Sequence, residues 1–158
     1  MKLSFRNDLP LNQTMMFEAV YPEPLQLDIK EKAELNRAQH GIWVWMFVND
    51  QLVGETYGVP LAELAEPVEG MSGIPADNRL YCYSNTVLPA FQHRGYGRLL
   101  KAYFLGVAKG RGFRAVYGHA RPGGSQALNI EFGAKFMEAF PNWYGTGEIY
   151  KLYETVLL

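Results

Sequence analysis

Two glycines one residue apart, Gly95 and Gly97, stand between a β-branched and aromatic run, Leu80–Leu88, and an amphipathic stretch, Arg98–Lys109. In that stretch Leu99, Leu100, Tyr103, Phe104 and Val107 recur with helical spacing and form one apolar face. A strand that must enter a helix through so short a loop limits the possible folds more than any other feature of the chain. The first-turn N–H groups of a helix have no partner within it, and the helix dipole adds positive potential there. Glycines in the loop remove Cβ atoms, so an anion can approach the backbone closely. Arg94 and Arg98 add charge, and a guanidinium can hold a phosphate through two parallel hydrogen bonds. The segment Gln92-His93-Arg94-Gly95-Tyr96-Gly97 is therefore expected to cradle an anion such as a pyrophosphate.

The charge distribution agrees with this expectation. Net charge is only −1, which argues against general nucleic-acid binding. Yet residues 78–130 contain no Asp or Glu and hold 8 of the 15 basic residues, so this stretch carries +8 and the rest of the chain −9. Residues 50–77 show the reverse pattern, with six acids and no Lys or Arg, and suit a cationic partner such as an amine.

The remaining elements follow from periodicity and punctuation. Lys2–Arg6 alternates like a strand. Leu11–Val20 and Leu25–Gln39 have helical spacing and are separated by Pro22 and Pro24. Ile42–Val48 and Leu52–Val59 read as strands joined at Asn49-Asp50, two residues that tolerate a tight hairpin. Pro60–Asn78 reads as an irregular loop. Beyond the glycine-rich loop and its helix, Gly110 and Gly112 supply a stop and Phe113–Ala120 a further strand. Ser125 is the expected cap of a helix reaching about Phe140, where Pro141 ends it. Trp143–Tyr144 and Glu148–Leu157 read as a closing pair of strands. The fold class is α/β (α+β), a mixed sheet with helices on its faces, and 158 residues suffice for one domain spanning residues 1–158.

The motif resembles that of the GNAT superfamily of acyl-CoA-dependent N-acyltransferases. In that family a strand ends in Val-x-Pro and is followed by Gln/Arg-x-x-Gly-x-Gly/Ala; here the residues are Val87-Leu88-Pro89 and then Gln92 to Gly97. The resemblance implies a mostly antiparallel twisted sheet, two splayed central strands and a β-loop-α unit that binds CoA. It implies acetyl-CoA as co-substrate and an amine, of a small molecule or a peptide, as acceptor. Val87 would pair its backbone with the pantetheine arm. Gln92, His93, Arg94, Gly95, Tyr96, Gly97 and Arg98 would hold the pyrophosphate, and Asn129 would contact the arm. Seven residues beyond that Asn, many members carry a Tyr that protonates the departing thiolate. Phe136 stands there in this chain, and Phe140-Pro141 replaces the Gly-Phe that usually closes the helix.

Catalytic candidates are Glu55, Tyr83 and Tyr144, with Tyr81 and His119 as further bases near the expected cleft. Each also has a packing interpretation, as an outward strand residue, a core aromatic or a satisfied polar group. Cys82 within its strand suits a small buried hydrophobe better than a nucleophile. His40, His93 and His119 have no metal-ligand spacing, so no metal is expected. Trp43, Trp45 and Phe47 share one strand face and read as core. With one cysteine, no secretory h-region and no membrane-length apolar run, a cytoplasmic location is expected. The apolar end Val156-Leu157-Leu158 offers a strand edge to which a second copy can pair as a homodimer. A CoA-binding protein of the same fold without transferase activity stays open as the alternative, and thiol release in the presence of amines distinguishes the two.

Overall fold

The computed structural model describes residues 1–157. Its centre is a seven-stranded sheet in the order β1-β2-β3-β4-β5-β7-β6. The strands are β1 (Leu3–Arg6), β2 (Ile42–Val48), β3 (Gln51–Pro60), β4 (Arg79–Val87), β5 (Ala115–Ala120), β6 (Lys135–Phe140) and β7 (Tyr150–Val156). The helices are α1 (Ile29–Asn36), α2 (Tyr96–Gly110) and α3 (Gly124–Glu131). Every neighbouring pair is antiparallel except β4–β5. The β2–β3 hairpin turns at Asn49 and Asp50, whose φ angles of 49° and 65° match the right-handed twist of the strands they join.

Period-two alternation divides β2 between the two faces of the sheet. Ile42, Val44 and Met46 meet Leu100, Phe104 and Ala108 of α2. Trp43 and Trp45 point the other way, into a cluster with Phe17 and Tyr57. On that second face lies a buried charge network. Lys32 Nζ donates to both Glu55 carboxylate oxygens at 3.0 and 2.9 Å, and Glu18 lies 3.2 Å from the same ammonium. Trp45 Nε1 donates to Glu55 at 2.8 Å. Lys32 and Glu55 are both fully buried, so neither charge is tolerable without the other.

Four sequence expectations need correction. Leu11–Val20 is not a helix but a pair of 3₁₀ turns, Leu11–Gln13 and Met15–Val20, folded tightly so that Phe17 and Glu18 reach the core. The second predicted helix is shorter, because Asp28 and Glu31 form a reciprocal capping box that fixes its start at Ile29. The helix expected to run to Phe140 ends at Glu131. Gly133, at φ +77°, donates to the Ile130 carbonyl, and Ala134 donates to the Asn129 carbonyl. This paired closure needs a left-handed residue that glycine supplies without strain. Lys135–Phe140 then forms the edge strand β6, so Phe136 lies on a strand and the seven-residue count from Asn129 crosses out of the helix. Finally, Trp143–Gly145 is a 3₁₀ turn, and β7 lies between β5 and β6, not at an edge. β7 is flanked on both sides over Lys151–Glu154, Val156 pairs with Ala115 of β5, and Leu158 lies outside the described residues.

Truncating Glu55 to Ala removes the principal partner of a buried ammonium. Urea unfolding of Glu55→Ala is expected to show a loss of about 3 kcal/mol; a loss below about 1 kcal/mol would contradict the network's structural role.

Candidate active site

Strands β4 and β5 pair only at Arg79↔Ala115, Leu80↔Val116 and Tyr81↔Tyr117. β4 continues to Val87 and β5 to Ala120 without pairing to each other, and a cleft of about 650 Å³ opens between them. On the β3 side, Tyr57 pairs with Ser84 and Gly58 with Cys82, so Tyr83 is bulged out of the ladder. The bulge resets the alternation of β4 and brings Tyr83 and Ser84 into the same wall of the cleft.

Backbone alternation decides what the cleft can hold. Leu88 donates its N–H to the Val53 carbonyl of β3 at 2.9 Å, so the N–H and C=O of Val87 face the opposite way, into the cleft. Gln92 Nε2 caps the Val87 carbonyl at 2.9 Å. The Val87 amide is left for an extended ligand carrying its own amides.

At the far end of the cleft, α2 begins at Gly95, whose φ is +85°. The first N–H to bond within the helix is that of Leu99, which donates to the Gly95 carbonyl. No side chain caps the helix and no acid lies in its first turn, so the N–H groups of Tyr96, Gly97 and Arg98 have no partner among the described residues. A Cβ built on Gly95 would meet nothing within 4 Å. His93 is also left-handed, at φ 64°, which turns the loop so that its amides converge. Three donors at a helix N-terminus beside empty space fit a pyrophosphate, and the open edge of β4 fits a pantetheine arm.

Of the cofactor residues named from the sequence, Val87, Gln92, His93, Gly95, Tyr96, Gly97 and Asn129 line the cleft. Arg94 and Arg98 do not. Arg98 is held by Glu131 of α3 at 2.8 and 3.2 Å, and Arg94 lies over the Phe91 ring. The basic segment as a whole is substantially neutralised from outside: Asp77 pairs with Arg79 and Arg114, and Glu148 with Arg121. The cradle's positive character therefore comes from backbone N–H groups more than from guanidinium groups.

The catalytic candidates separate in the same way. Glu55 does not line the cleft; burial raises its pKa while Lys32 and Trp45 hold its oxygens. Tyr81 is buried and its hydroxyl meets His119 Nδ1 at 2.7 Å. Burial lowers the His119 pKa to about 4 and keeps the ring neutral. That ring lines the cleft and stacks on Trp143 with centroids 4.1 Å apart; its Nδ1 is taken by Tyr81 and its Nε2 is sealed from solvent. Tyr83 lines the cleft with its hydroxyl pKa pushed up to about 12, first by burial and then by Tyr144 and Glu66. Tyr144 is exposed on the turn after β6, packed edge-on against Trp143.

Four cleft residues were not identified as site residues from the sequence. Tyr21 hydrogen-bonds Ser84 and Thr86 and closes one wall. Glu148 is the one carboxylate that lines the cleft among the described residues, and Arg121 Nε holds it at 3.0 and 3.4 Å. Tyr150 lies beside that pair with a buried hydroxyl that has no partner among the described residues. Lys101 of α2 enters from the helical face. Only Lys101 carried a sequence signal, being four residues beyond Gly97 and so on the same helix face.

Splayed strands, a bare helix N-terminus and an open strand edge thus face one cleft. The sequence model of the Acetyltransferase (GNAT) family matches residues 9–130, and the chain belongs to that family. Its fold is similar to the ribosomal-protein-S18-alanine N-acetyltransferase of Escherichia coli, at 14% identity and TM-score 0.75, covering 99% of this chain and 94% of that one. It is also similar to the ribosomal-protein-alanine N-acetyltransferase of Brucella melitensis, at 17% identity and TM-score 0.72, covering 98% and 99%. A third similar structure is yncA of Salmonella typhimurium, solved with acetyl-CoA, at 14% identity and TM-score 0.75, covering 100% and 95%. Among curated proteins no match is found. No helix among the described residues is long and apolar enough to cross a membrane.

The depressed His119 pKa gives a signed prediction. The fold favours neutral His119, so its contribution to stability is complete above pH 6.5 and is lost as pH falls toward about 4. Relative to the wild type, His119→Gln should show a shallower fall in urea midpoint across that window, a difference on the order of 2 kcal/mol at its acid end. Parallel profiles would contradict it.

Proposed function

We propose that the chain transfers an acetyl group from acetyl-CoA to a primary amine, the amine attacking the thioester directly in a ternary complex. The observation that best supports this reading is the alignment, along one cleft, of the unpaired α2 amides and the free Val87 amide. Together they match a pyrophosphate joined to an amide-bearing arm. Acetyl-CoA, when bound, supplies an activated carbonyl; the rest is the work of this chain's own residues.

The α2 amides hold the phosphates, and Val87 fixes the arm so that its end reaches the parting of the strands beside Tyr81 and Tyr117. The acceptor enters from the other mouth, between Tyr83 and the Tyr150–Glu148 pair. Glu148, held by Arg121, accepts the proton that the attacking ammonium must lose. Tyr150 lies beside Glu148 and forms the wall of the cleft at this mouth. Glu66 lies near enough to Tyr83 to raise its pKa and contributes negative potential at this mouth. A cationic amine is therefore the acceptor class we favour, whether of a small molecule or of a peptide.

The test is calorimetric titration with acetyl-CoA, followed by thiol release with a panel of amines. Wild type should bind in the micromolar range, about −8 kcal/mol. Gly95→Glu, which places a carboxylate in the cradle at a left-handed position, and Gly97→Glu, which does so without that strain, should both lose binding while remaining folded by circular dichroism. Retained binding in both variants, or none in wild type, rejects the reading. Binding without thiol release for any amine would favour a non-catalytic CoA-binding protein instead.

A further inference from the structure

One charged side chain in the cleft has no role in the scheme above. Lys101 projects from α2 into the space between the parted strands, where it is half-buried. Among the described residues it forms no ion pair, although most other cations of its segment do. Its one side-chain hydrogen bond among the described residues goes to Asn129 Oδ1 of α3 at 3.3 Å, and Asn129 is itself anchored by donating Nδ2 to the Ser125 carbonyl at 2.9 Å. Its other marked contact is with the Phe132 ring, 6.0 Å from the ammonium. A shielded ammonium that meets one neutral oxygen and one ring lacks a counter-charge, and the cleft beside it is where an anion would restore the balance.

The position along the cleft narrows what that anion is. Lys101 is one helical turn beyond Gly97, so it lies inward of the phosphate cradle. Across from it is Cys82, the residue directly after the last β4–β5 pair, and Gly118 of β5 lies against the Cys82 carbonyl. Lys101 therefore sits where the strands part, at the acyl end of the cleft and away from its phosphate end.

On the basis of the proposed acetyl transfer, we infer that Lys101, oriented by Asn129, is the residue that stabilises and protonates the CoA sulfur as it leaves. As the amine nitrogen bonds to the carbonyl carbon, the carbon–sulfur bond breaks and its electron pair goes to sulfur. Lys101 gives one proton to that sulfur, producing the thiol, and becomes a neutral amine. It regains a proton from water when the thiol departs. In becoming the amide the substrate ammonium loses two protons, one before attack and one from the tetrahedral nitrogen. Both leave through Glu148 to water, one is matched by the proton that Lys101 regains, and one proton is released per turnover. Phe136, which from sequence spacing occupied the position of a family proton donor, is on β6 and half exposed, well outside this constellation.

The surroundings favour a usable proton. Burial lowers the Lys101 pKa from its ordinary value, and the Cys82 thiol of β4 is the titratable group that acts on it. β5 presents Val116 and Gly118, and α3 presents Leu128 and Asn129, none of them charged. The one acid of α3, Glu131, is held by Arg98.

The test compares wild type, Lys101→Met and Lys101→Arg, each also carrying Cys82→Ser so that the chain contributes no thiol signal. Bound CoA, in its free-thiol form, is titrated by its ultraviolet thiolate absorbance. Lys101 should hold the bound thiol's pKa below that measured in Lys101→Met by about one unit or more. Turnover at saturating acetyl-CoA should fall on the order of 10²-fold in Lys101→Met. Lys101→Arg should keep the low thiol pKa, being cationic, yet lose the descending alkaline limb of the pH–rate profile, since a guanidinium stays protonated throughout that range. Acetyl-CoA affinity should change little in either variant. An unchanged thiol pKa and pH profile in Lys101→Met overturns the inference. So does a variant that loses affinity but not saturated turnover, because Lys101 would then be a phosphate ligand. Failure of wild type to bind any CoA species rejects the acyl-transfer reading beneath it, a separately readable result.

Discussion

Three residue pairs hold β4 against β5, and the proposed chemistry lies where that pairing stops. Parting two central strands leaves backbone donors and acceptors facing a gap, which is costly unless water or a ligand satisfies them. The chain tolerates this because each strand is secured on its other side. β4 pairs with β3 from Leu80 to Val87 apart from the bulge at Tyr83, and β5 pairs with β7 at all six of its positions, Ala115 to Ala120. The gap is thus a rigid feature of the sheet, faced by one open strand edge and one helix N-terminus.

The buried Glu18–Lys32–Glu55 network supports the site without belonging to it. Glu18 lies on the same 3₁₀ turn that leads to Tyr21, and Tyr21 hydrogen-bonds Ser84 and Thr86 on the cleft wall. Lys32 ties that turn to α1 and, through Glu55, to β3. The N-terminal segment, with few regular hydrogen bonds of its own, is thereby fixed over the β4 wall. A carboxylate on a central strand resembles a catalytic base in the sequence; here its partners identify it as a structural ion.

The β-loop-α unit was legible because its signals are local: a strand pattern, two glycines and an amphipathic helix within some thirty residues. The hairpin at Asn49-Asp50 and the core face of Trp43 and Trp45 were legible for the same reason. The misassignment of Lys135–Phe140 has an identifiable cause. Its residues are largely exposed on an edge strand, so no clear period-two pattern marks them, while Gly133 was the available stop signal and went unused. Glu148, Tyr150 and Tyr21 became site residues only through the sheet order, which brings segments more than a hundred residues apart to one cleft. Arg98 shows the converse: its place in the motif was clear, but its guanidinium belongs to Glu131.

The backbone groups that acetyl-CoA touches define the proposed donor site. Hydrogen–deuterium exchange with and without acetyl-CoA reads this directly, because the relevant groups are amides that lack partners in the chain. Saturating ligand should slow exchange by about tenfold or more at Val87 and across Tyr96–Arg98, with β6 unchanged. Binding accompanied by protection elsewhere, with those amides exchanging as before, would contradict the assignment of the strand gap and the α2 N-terminus as the donor site.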